Sequence, residues 1–303
     1  MKTVGQIYFV VIIFALILLG GCQKQNPVQL RDDEVERQGL EVENASDVGV
    51  EPFDASASGD TTFFITSNRK FLGKLIVAGS EYDSPVEHHE ASLARAVFYN
   101  RADPILFAGD TVGFRTIDAG IVSVDNLVLR SSAERLDLPG IPIDSIGLQY
   151  TLLNLDGLGG KGFRYFGDHT YQWKVTGGLF LPAFQETIKA PARLHVTAPV
   201  AGERLSLSRN LTVLWRGGGE VVRILISDFR TGKLPQPLLS LKLRNNGGQV
   251  ILPARILQLL PRDRARLLFT VSSEESFAVH LNGYEDIILR SITSHSLVYS
   301  VIE

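Results

Sequence analysis

Histidine and carboxylate side chains occur together at two points of the sequence, where they could bind a metal ion or transfer protons. Glu87-His88-His89-Glu90 offers imidazole and carboxylate groups, the donors that zinc and other transition metals use. Adjacent residues of an extended chain point to opposite faces, however, so both histidines would rarely reach one ion. Asp168-His169 suggests part of a catalytic triad, but no G-x-S-x-G turn presents a serine. We therefore expect no metal site and no enzymatic activity.

Glycines at 157, 159 and 162 match the spacing of a dinucleotide-binding loop. Such a loop needs a helix directly after it, because the helix N-terminus binds the pyrophosphate. Residues 163–167 have no helical periodicity and include another glycine. We predict a loop between strands here, and no cofactor.

A group of aromatic residues with polar neighbours follows this loop. Exposed aromatic rings beside polar groups could stack on sugar rings or contact a protein partner. Core packing explains the same aromatic residues, and that alternative stays open. The candidate contact residues are Tyr165, Phe166, Asp168, His169, Tyr171 and Trp173.

Three arginines, Arg262, Arg264 and Arg266, alternate with other residues at the period of a β-strand. They would lie opposite the apolar face formed by Leu267, Phe269 and Val271. A charged face exposed to solvent would discourage edge-to-edge pairing of strands. The alternative is contact with an anionic surface, either lipid headgroups or an acidic cell-wall polymer.

The only cysteine, Cys22, follows a short apolar segment. Residues 7–19 suit the apolar region of a signal peptide and fall short of the roughly twenty residues that cross a bilayer. The motif Leu19-Gly20-Gly21-Cys22 resembles the lipobox of bacterial lipoproteins. The resemblance implies that residues 1–21 are cleaved and that Cys22 is lipidated with a diacylglycerol and an N-acyl chain. An uncleaved anchor helix and an ordinary secretory signal with a free thiol remain alternatives.

Several acyl chains on one residue give stable anchoring to a membrane without spanning it. The residue after the cysteine is Gln23, whereas enteric lipoproteins that stay at the inner membrane have Asp there. The resemblance therefore implies a protein of the cell envelope, anchored at the outer membrane through its lipid.

Acidic residues dominate the segment that follows the predicted lipid. The chain has a net charge of −3, with about −9 in residues 23–190 and about +5 in residues 191–303. Residues 31–60 contain many carboxylates and few large apolar side chains, so they cannot bury enough surface to offset the entropy of ordering. We predict that residues 22–60 form a disordered acidic tether.

From residue 61 onward, short β-branched and alternating runs are separated by Gly, Pro, Asn and Asp, which is typical of strands and turns. Asp125-Asn126 suits a tight hairpin turn, and residues 171–175 alternate cleanly. The prolines between 182 and 191 indicate a boundary. We predict an all-β fold with two sandwich-like domains, residues 61–190 and 191–303. The second contains Leu211-Thr212-Val213-Leu214-Trp215 and resembles immunoglobulin-like or fibronectin-type sandwiches of bacterial surface proteins.

Together these features predict a non-catalytic, lipid-anchored envelope protein that presents β-domains for binding or envelope assembly. Its partners would be the membrane, through the lipid, and an envelope protein or polysaccharide; we expect no nucleic acid, and the oligomeric state stays open. The alternatives are a carbohydrate-binding lipoprotein that uses residues 165–173, and an envelope hydrolase.

Overall fold

Almost all of the described chain is β-structure. The computed structural model describes residues 41–43, 71–107, 110–136, 144–155, 162–230, 235–245, 247–261 and 266–302. One short helix, α1 (Ala254–Leu257), occurs among these residues. The prediction of an all-β fold is confirmed. The described strands belong to one compact unit, Arg37–Glu303, and a second unit, Met1–Glu36, lies outside the described residues.

The strands are numbered in chain order. They are β1 (Glu41–Glu43), β2 (Phe71–Asp83), β3 (His88–Phe107), β4 (Asp110–Thr116), β5 (Val122–Val124), β6 (Leu127–Val128), β7 (Arg130–Leu136), β8 (Asp144–Leu155), β9 (Thr170–Val175), β10 (Phe184–Lys189), β11 (Ala192–Ala198), β12 (Arg204–Ser206), β13 (Leu211–Gly218), β14 (Val221–Asp228), β15 (Gln236–Arg244), β16 (Gln249–Leu252), β17 (Arg266–Val279) and β18 (Asp286–Ile302).

Eleven strands form the largest sheet, in the order β1-β15-β14-β17-β18-β2-β3-β8-β7, with β12 joined to β18 and β4 joined to β3. Its centre is the parallel pair of β18 and β2, which runs from Asp286 opposite Phe71 to Leu297 opposite Asp83. One sheet therefore crosses the boundary predicted near residue 190. The two predicted domains therefore share a sheet. Strand β18, from the second predicted domain, satisfies the backbone hydrogen bonds along one side of β2, from the first.

Two smaller sheets complete the fold, the four-stranded β10-β9-β5-β6 and the three-stranded β11-β13-β16. A buried apolar cluster joins the four-stranded sheet to the large one, with Trp173 of β9 packed among residues that include Leu75 of β2 and Phe98 of β3. Trp173 is fully buried. Burying an indole of this size contributes up to about 4 to 6 kcal/mol at about 25 cal/mol per Å².

Among the described strands of its sheet, β11 pairs with β13 alone. On its other side, backbone N–H groups of β11 donate to side chains of β18 instead of to another strand. The backbone N–H of Leu194 donates to Thr293 Oγ1 at 3.0 Å, and that of Val196 donates to His295 Nδ1 at 2.8 Å. Thr293 and His295 are both buried. A buried N–H without an acceptor is costly, so this polar stripe lets β11 cross the large sheet as an edge strand.

Two local predictions are confirmed. Asp125 and Asn126 have φ angles of 48° and 64° and form the turn between β5 and β6, in which Val124 lies opposite Leu127. The primed turns of two-residue hairpins require such positive φ angles. In β9 the side chains alternate between exposed and buried, as the sequence of residues 171–175 predicts.

Part of the predicted tether is ordered as a strand. Residues Glu41–Glu43 form β1 and pair antiparallel with β15, so that Glu41 lies opposite Lys242. The prediction that all of residues 22–60 are disordered is therefore wrong for these three residues, since an unpaired edge of the large sheet offers them hydrogen bonds. The rest of the predicted tether, with the signal peptide and Cys22, lies outside the described residues.

Candidate functional site

Three of the predicted contact residues belong to the core. Tyr165, Tyr171 and Trp173 have exposed fractions of 5%, 1% and 0%. The hypothesis that they contact a ligand is corrected, because no sugar or protein surface reaches a buried ring. The clean alternation of β9 is the physical reason: the face that carries Tyr171 and Trp173 is the face turned toward the large sheet.

The two tyrosines also have structural hydrogen bonds. The Tyr165 hydroxyl donates to Pro191 O at 3.1 Å, and the Tyr171 hydroxyl accepts the backbone N–H of Phe166 at 2.6 Å. Burial raises the pKa of Tyr171 to about 12. Both phenols therefore stay neutral at physiological pH and hold the segment 163–171 against the core.

The other three predicted contact residues, Phe166, Asp168 and His169, are at the surface. His169 Nε2 lies 2.7 Å from Asp125 Oδ2, and Asp125 Oδ1 accepts the backbone N–H of Gln172 at 2.9 Å. The Phe166 ring meets the His169 ring edge to face at 6.3 Å. Asp168 is in the left-handed region, with φ of 60°. His169 thus joins its loop to the β5–β6 turn, and Asp168 is not its partner.

Of the predicted arginine face, only Arg266 is described; Arg262 and Arg264 lie outside the described residues. Arg266 is exposed at the start of β17, and Leu267, Phe269 and Val271 are buried on the opposite face. The apolar half of this predicted pattern is confirmed.

His88 and His89, the first two residues of β3, point to opposite faces of the strand, as expected from their alternation. His88 Nδ1 donates to Asp83 Oδ1 at 2.5 Å, whereas His89 stacks on Tyr82 with the ring centroids 6.2 Å apart. The hydrogen bond to Asp83 raises the pKa of His88. The two imidazoles do not converge on one point.

Four strands do bring a different set of titratable groups together, centred on Glu81 of β2. Glu81 is buried, with His295 of β18 opposite it on one side and Glu90 of β3 on the other. From β11, His195 Nδ1 lies 2.8 Å from Glu81 Oε2, while Arg193 Nε lies 2.6 Å from Glu81 Oε1. Arg193 Nη2 also contacts Glu90 Oε2 at 2.7 Å. We call these residues, together with Asp83 and His88, the histidine–carboxylate network.

One ligand atom from each of Glu81, His195 and His295 lies within 4.8 Å of the others, which raises the question of a metal site. Both nitrogens of His295 are engaged, however. Nδ1 accepts the Val196 N–H, so the ring proton is on Nε2, which lies 3.0 Å from Asp83 Oδ2 and donates to it. A metal ion at either nitrogen would break one of these bonds, and the Arg193 cation already neutralises Glu81.

The electrostatics of the network agree with that assignment. Burial lowers the pKa of His295, which keeps the ring neutral, although Asp83 opposes the shift. Burial alone would raise the pKa of Asp83, but hydrogen bonds and charge from His88 and His295 hold it below its usual value. The network therefore ties β2, β3, β11 and β18 together.

Sequence reasoning missed this network, although a signal was present. Each of the four strands carries two polar residues two positions apart, and such a pair shares one face of its strand. The pairs are Glu81 with Asp83, His88 with Glu90, Arg193 with His195, and Thr293 with His295.

Comparison with known proteins adds no relative: no family model matches the sequence, and no curated protein matches it significantly. In the described part of the chain, no helix is long and apolar enough to cross a bilayer. Functional assignment therefore depends on the sequence motif at Cys22 and on the surface of the β-fold.

Proposed function

We propose that this chain is a non-catalytic lipoprotein of the bacterial cell envelope, anchored through Cys22, whose β-fold binds an envelope component. The observation that carries the proposal is the motif Leu19-Gly20-Gly21-Cys22 after a short apolar segment. With its only cysteine lipidated, the protein has no thiol for an internal disulfide. A fold of this size can bury enough apolar surface to be stable without one.

The contacts of Glu81 and His295 make these two groups structural, not catalytic. A general base needs a free lone pair within reach of substrate. In the histidine–carboxylate network, Glu81 is held by Arg193 and His195, and both nitrogens of His295 have partners. Rigid strands with exposed loops suit the binding of a partner instead.

The proposed anchor is tested by metabolic labelling with an alkyne fatty acid in an enteric host. The wild-type protein is expected to carry the label and to fractionate with the outer membrane. A Cys22→Ala variant should lose the label and the membrane association. Gln23→Asp serves as the matched control, because it should keep the label while the protein moves to the inner membrane. A Cys22→Ala protein that still carries the label would contradict the proposal.

A further inference from the structure

A half-open groove lies at the end of the large sheet where β2 begins. Its volume is about 250 Å³, and it is lined by Tyr99, Phe180 and Tyr284 together with the polar residues Asn100, Arg101 and Glu285. Phe180 and Tyr284 are 56% and 41% exposed. Ligand sites combine apolar and aromatic walls with a few fixed polar groups, and this groove has that composition.

Tight turns fix the backbone that carries the two exposed rings. Phe180 lies in a turn closed by the backbone N–H of Gly178, which donates to Leu181 O at 2.9 Å. A Cβ on Gly178 would lie 2.3 Å from Asp118 O, so the turn packs closely against its neighbour. The backbone N–H of Tyr284 donates to Leu281 O at 2.9 Å in the turn between β17 and β18. A backbone fixed in this way leaves only side-chain entropy to be lost when a ligand stacks on the rings.

The arginine of the groove is also fixed before any ligand arrives. Arg101 Nε donates to Phe71 O at 2.9 Å, and its guanidinium lies over the Phe114 ring, 4.3 Å from the centroid. The same nitrogen lies 3.2 Å from Glu285 Oε2. Nearby, Asn100 Oδ1 accepts the backbone N–H of Ala102 at 3.2 Å, which orients the amide.

Glu285 has an acceptor that the protein leaves without a hydrogen bond. Its Oε2 is buried and lies 3.2 Å from Arg101 Nε. No donor among the described residues, Arg101 included, has the geometry of a hydrogen bond to this oxygen. The side chain as a whole is 38% exposed. A buried acceptor without a donor is costly, and a hydroxyl group of a ligand could supply the donor after a small side-chain rotation.

The charges, rings and volume of the groove indicate the chemical class of its ligand. The charges of Arg101 and Glu285 neutralise each other, so a charged ligand would leave one of them unpaired. Flat aromatic rings complement the C–H face of a pyranose, and fixed amide, guanidinium and carboxylate groups complement its hydroxyls. The volume is just below the range of about 300 to 1,000 Å³ for drug-sized ligands, which suits one or two sugar rings.

We propose that this groove binds one or two sugar residues of an uncharged envelope polysaccharide. The inference deepens the proposed binding function, on which it rests, and places the contact at Tyr284 and Phe180 instead of the buried residues 165–173. Lipidation and sugar binding are measured separately, so loss of the lipid anchor would leave the binding result standing.

The test is saturation-transfer NMR and titration of the full-length protein, purified in a detergent without a sugar headgroup. The probes are maltotriose, cellotriose and tri-N-acetylchitotriose, with trigalacturonate as the charged comparison. We expect at least one neutral trisaccharide to bind, and Tyr284→Ala or Phe180→Ala to raise its dissociation constant about ten-fold. Tyr284→Phe keeps the ring and should change the constant less than about two-fold.

Phe166→Ala is the matched control, because Phe166 is exposed to nearly the same degree, 58%, but lies in the segment 163–171. It should leave sugar binding unchanged, and all variants should keep the wild-type unfolding midpoint. The proposal is overturned if no neutral trisaccharide binds at millimolar concentration, if trigalacturonate binds as well as the best of them, or if Phe166→Ala weakens binding as much as Phe180→Ala.

Discussion

The imidazole of His295 accepts the backbone N–H of Val196 across 2.8 Å, although the two residues lie on strands of different sheets. Asp83 Oδ2 accepts the hydrogen bond of the other ring nitrogen, Nε2, and so fixes the tautomer that this bond requires. A carboxylate on β2 thus controls the attachment of β11 to β18. The bond depends on a neutral ring, which makes the stability of the fold sensitive to pH.

Stability is expected to fall as the pH drops below the ordinary histidine pKa of about 6.5. Burial lowers the pKa of His295 in the folded protein, so the unfolded chain binds this proton more readily. The contribution is complete above pH 6.5 and is lost as the pH falls from there toward the lower, folded pKa. The measurement is urea denaturation at several pH values, in which His295→Gln should flatten the slope below pH 6.5.

His88 requires a control, since its contribution has the opposite sign. Its raised pKa gives stability that is present below the unfolded pKa and lost as the pH rises through the folded one. The comparison is therefore made in a His88→Gln background. His280→Gln, at a side chain that is 72% exposed and outside the network, is the matched control for replacing a histidine. An unchanged slope in His295→Gln would contradict the requirement for a neutral ring at this position.

Trp173 is expected to behave as a core residue. Trp173→Ala should lower the free energy of unfolding by about 3 to 5 kcal/mol, because it removes a fully buried indole and leaves a cavity. Phe166→Ala, at an exposed position in the loop before β9, should change it by less than about 0.5 kcal/mol. Chemical denaturation measures both. Strong quenching by iodide of the native fluorescence in a Trp215→Phe background, where Trp173 is the remaining tryptophan, would show that its indole is accessible and would refute its burial.

Local patterns in the sequence predict local structure well, and long-range contacts poorly. The turn at Asp125 and Asn126 and the two faces of β9 follow from residue type and alternation. The same alternation shows that Tyr171 and Trp173 share a face, but not which layer covers it. The alternation also does not predict that Glu81 lies opposite His295. A period of two shows which residues share a face of a strand, but it does not show which strand lies beside it or in what register. The histidine–carboxylate network depends on that pairing.

Gly79 is expected to tolerate no side chain. A Cβ there would lie 2.4 Å from Cδ1 of Tyr165, a buried ring that is itself held by Pro191. Gly79→Ala should therefore cost about 1 to 3 kcal/mol in denaturation experiments through overpacking. Adding Tyr165→Ala removes the two shortest of these contacts, to Cδ1 and Cγ, so the two substitutions together should cost at least about 0.5 kcal/mol less than the sum of their separate effects. Strict additivity would mean that the two positions are not in contact.

The strand β1 is expected to protect the edge of the large sheet. Val42 lies opposite Leu241, and Val42→Pro removes a backbone donor and disfavours strand pairing. Hydrogen exchange in residues 238–244 should then become faster, while the global free energy of unfolding changes by less than about 1 kcal/mol, because only three residues pair.

Glu41→Gln separates the backbone pairing of β1 from its charge. Glu41 Oε2 lies 3.8 Å from Lys242 Nζ, and exposed ion pairs contribute at most about 1 kcal/mol. This variant should keep the wild-type exchange rates in residues 238–244, since the backbone pairing is intact. If Glu41→Gln accelerates exchange as much as Val42→Pro does, the charge holds the segment to the sheet. Equal rates in wild type and Val42→Pro would instead mean that β1 does not cover β15 in solution.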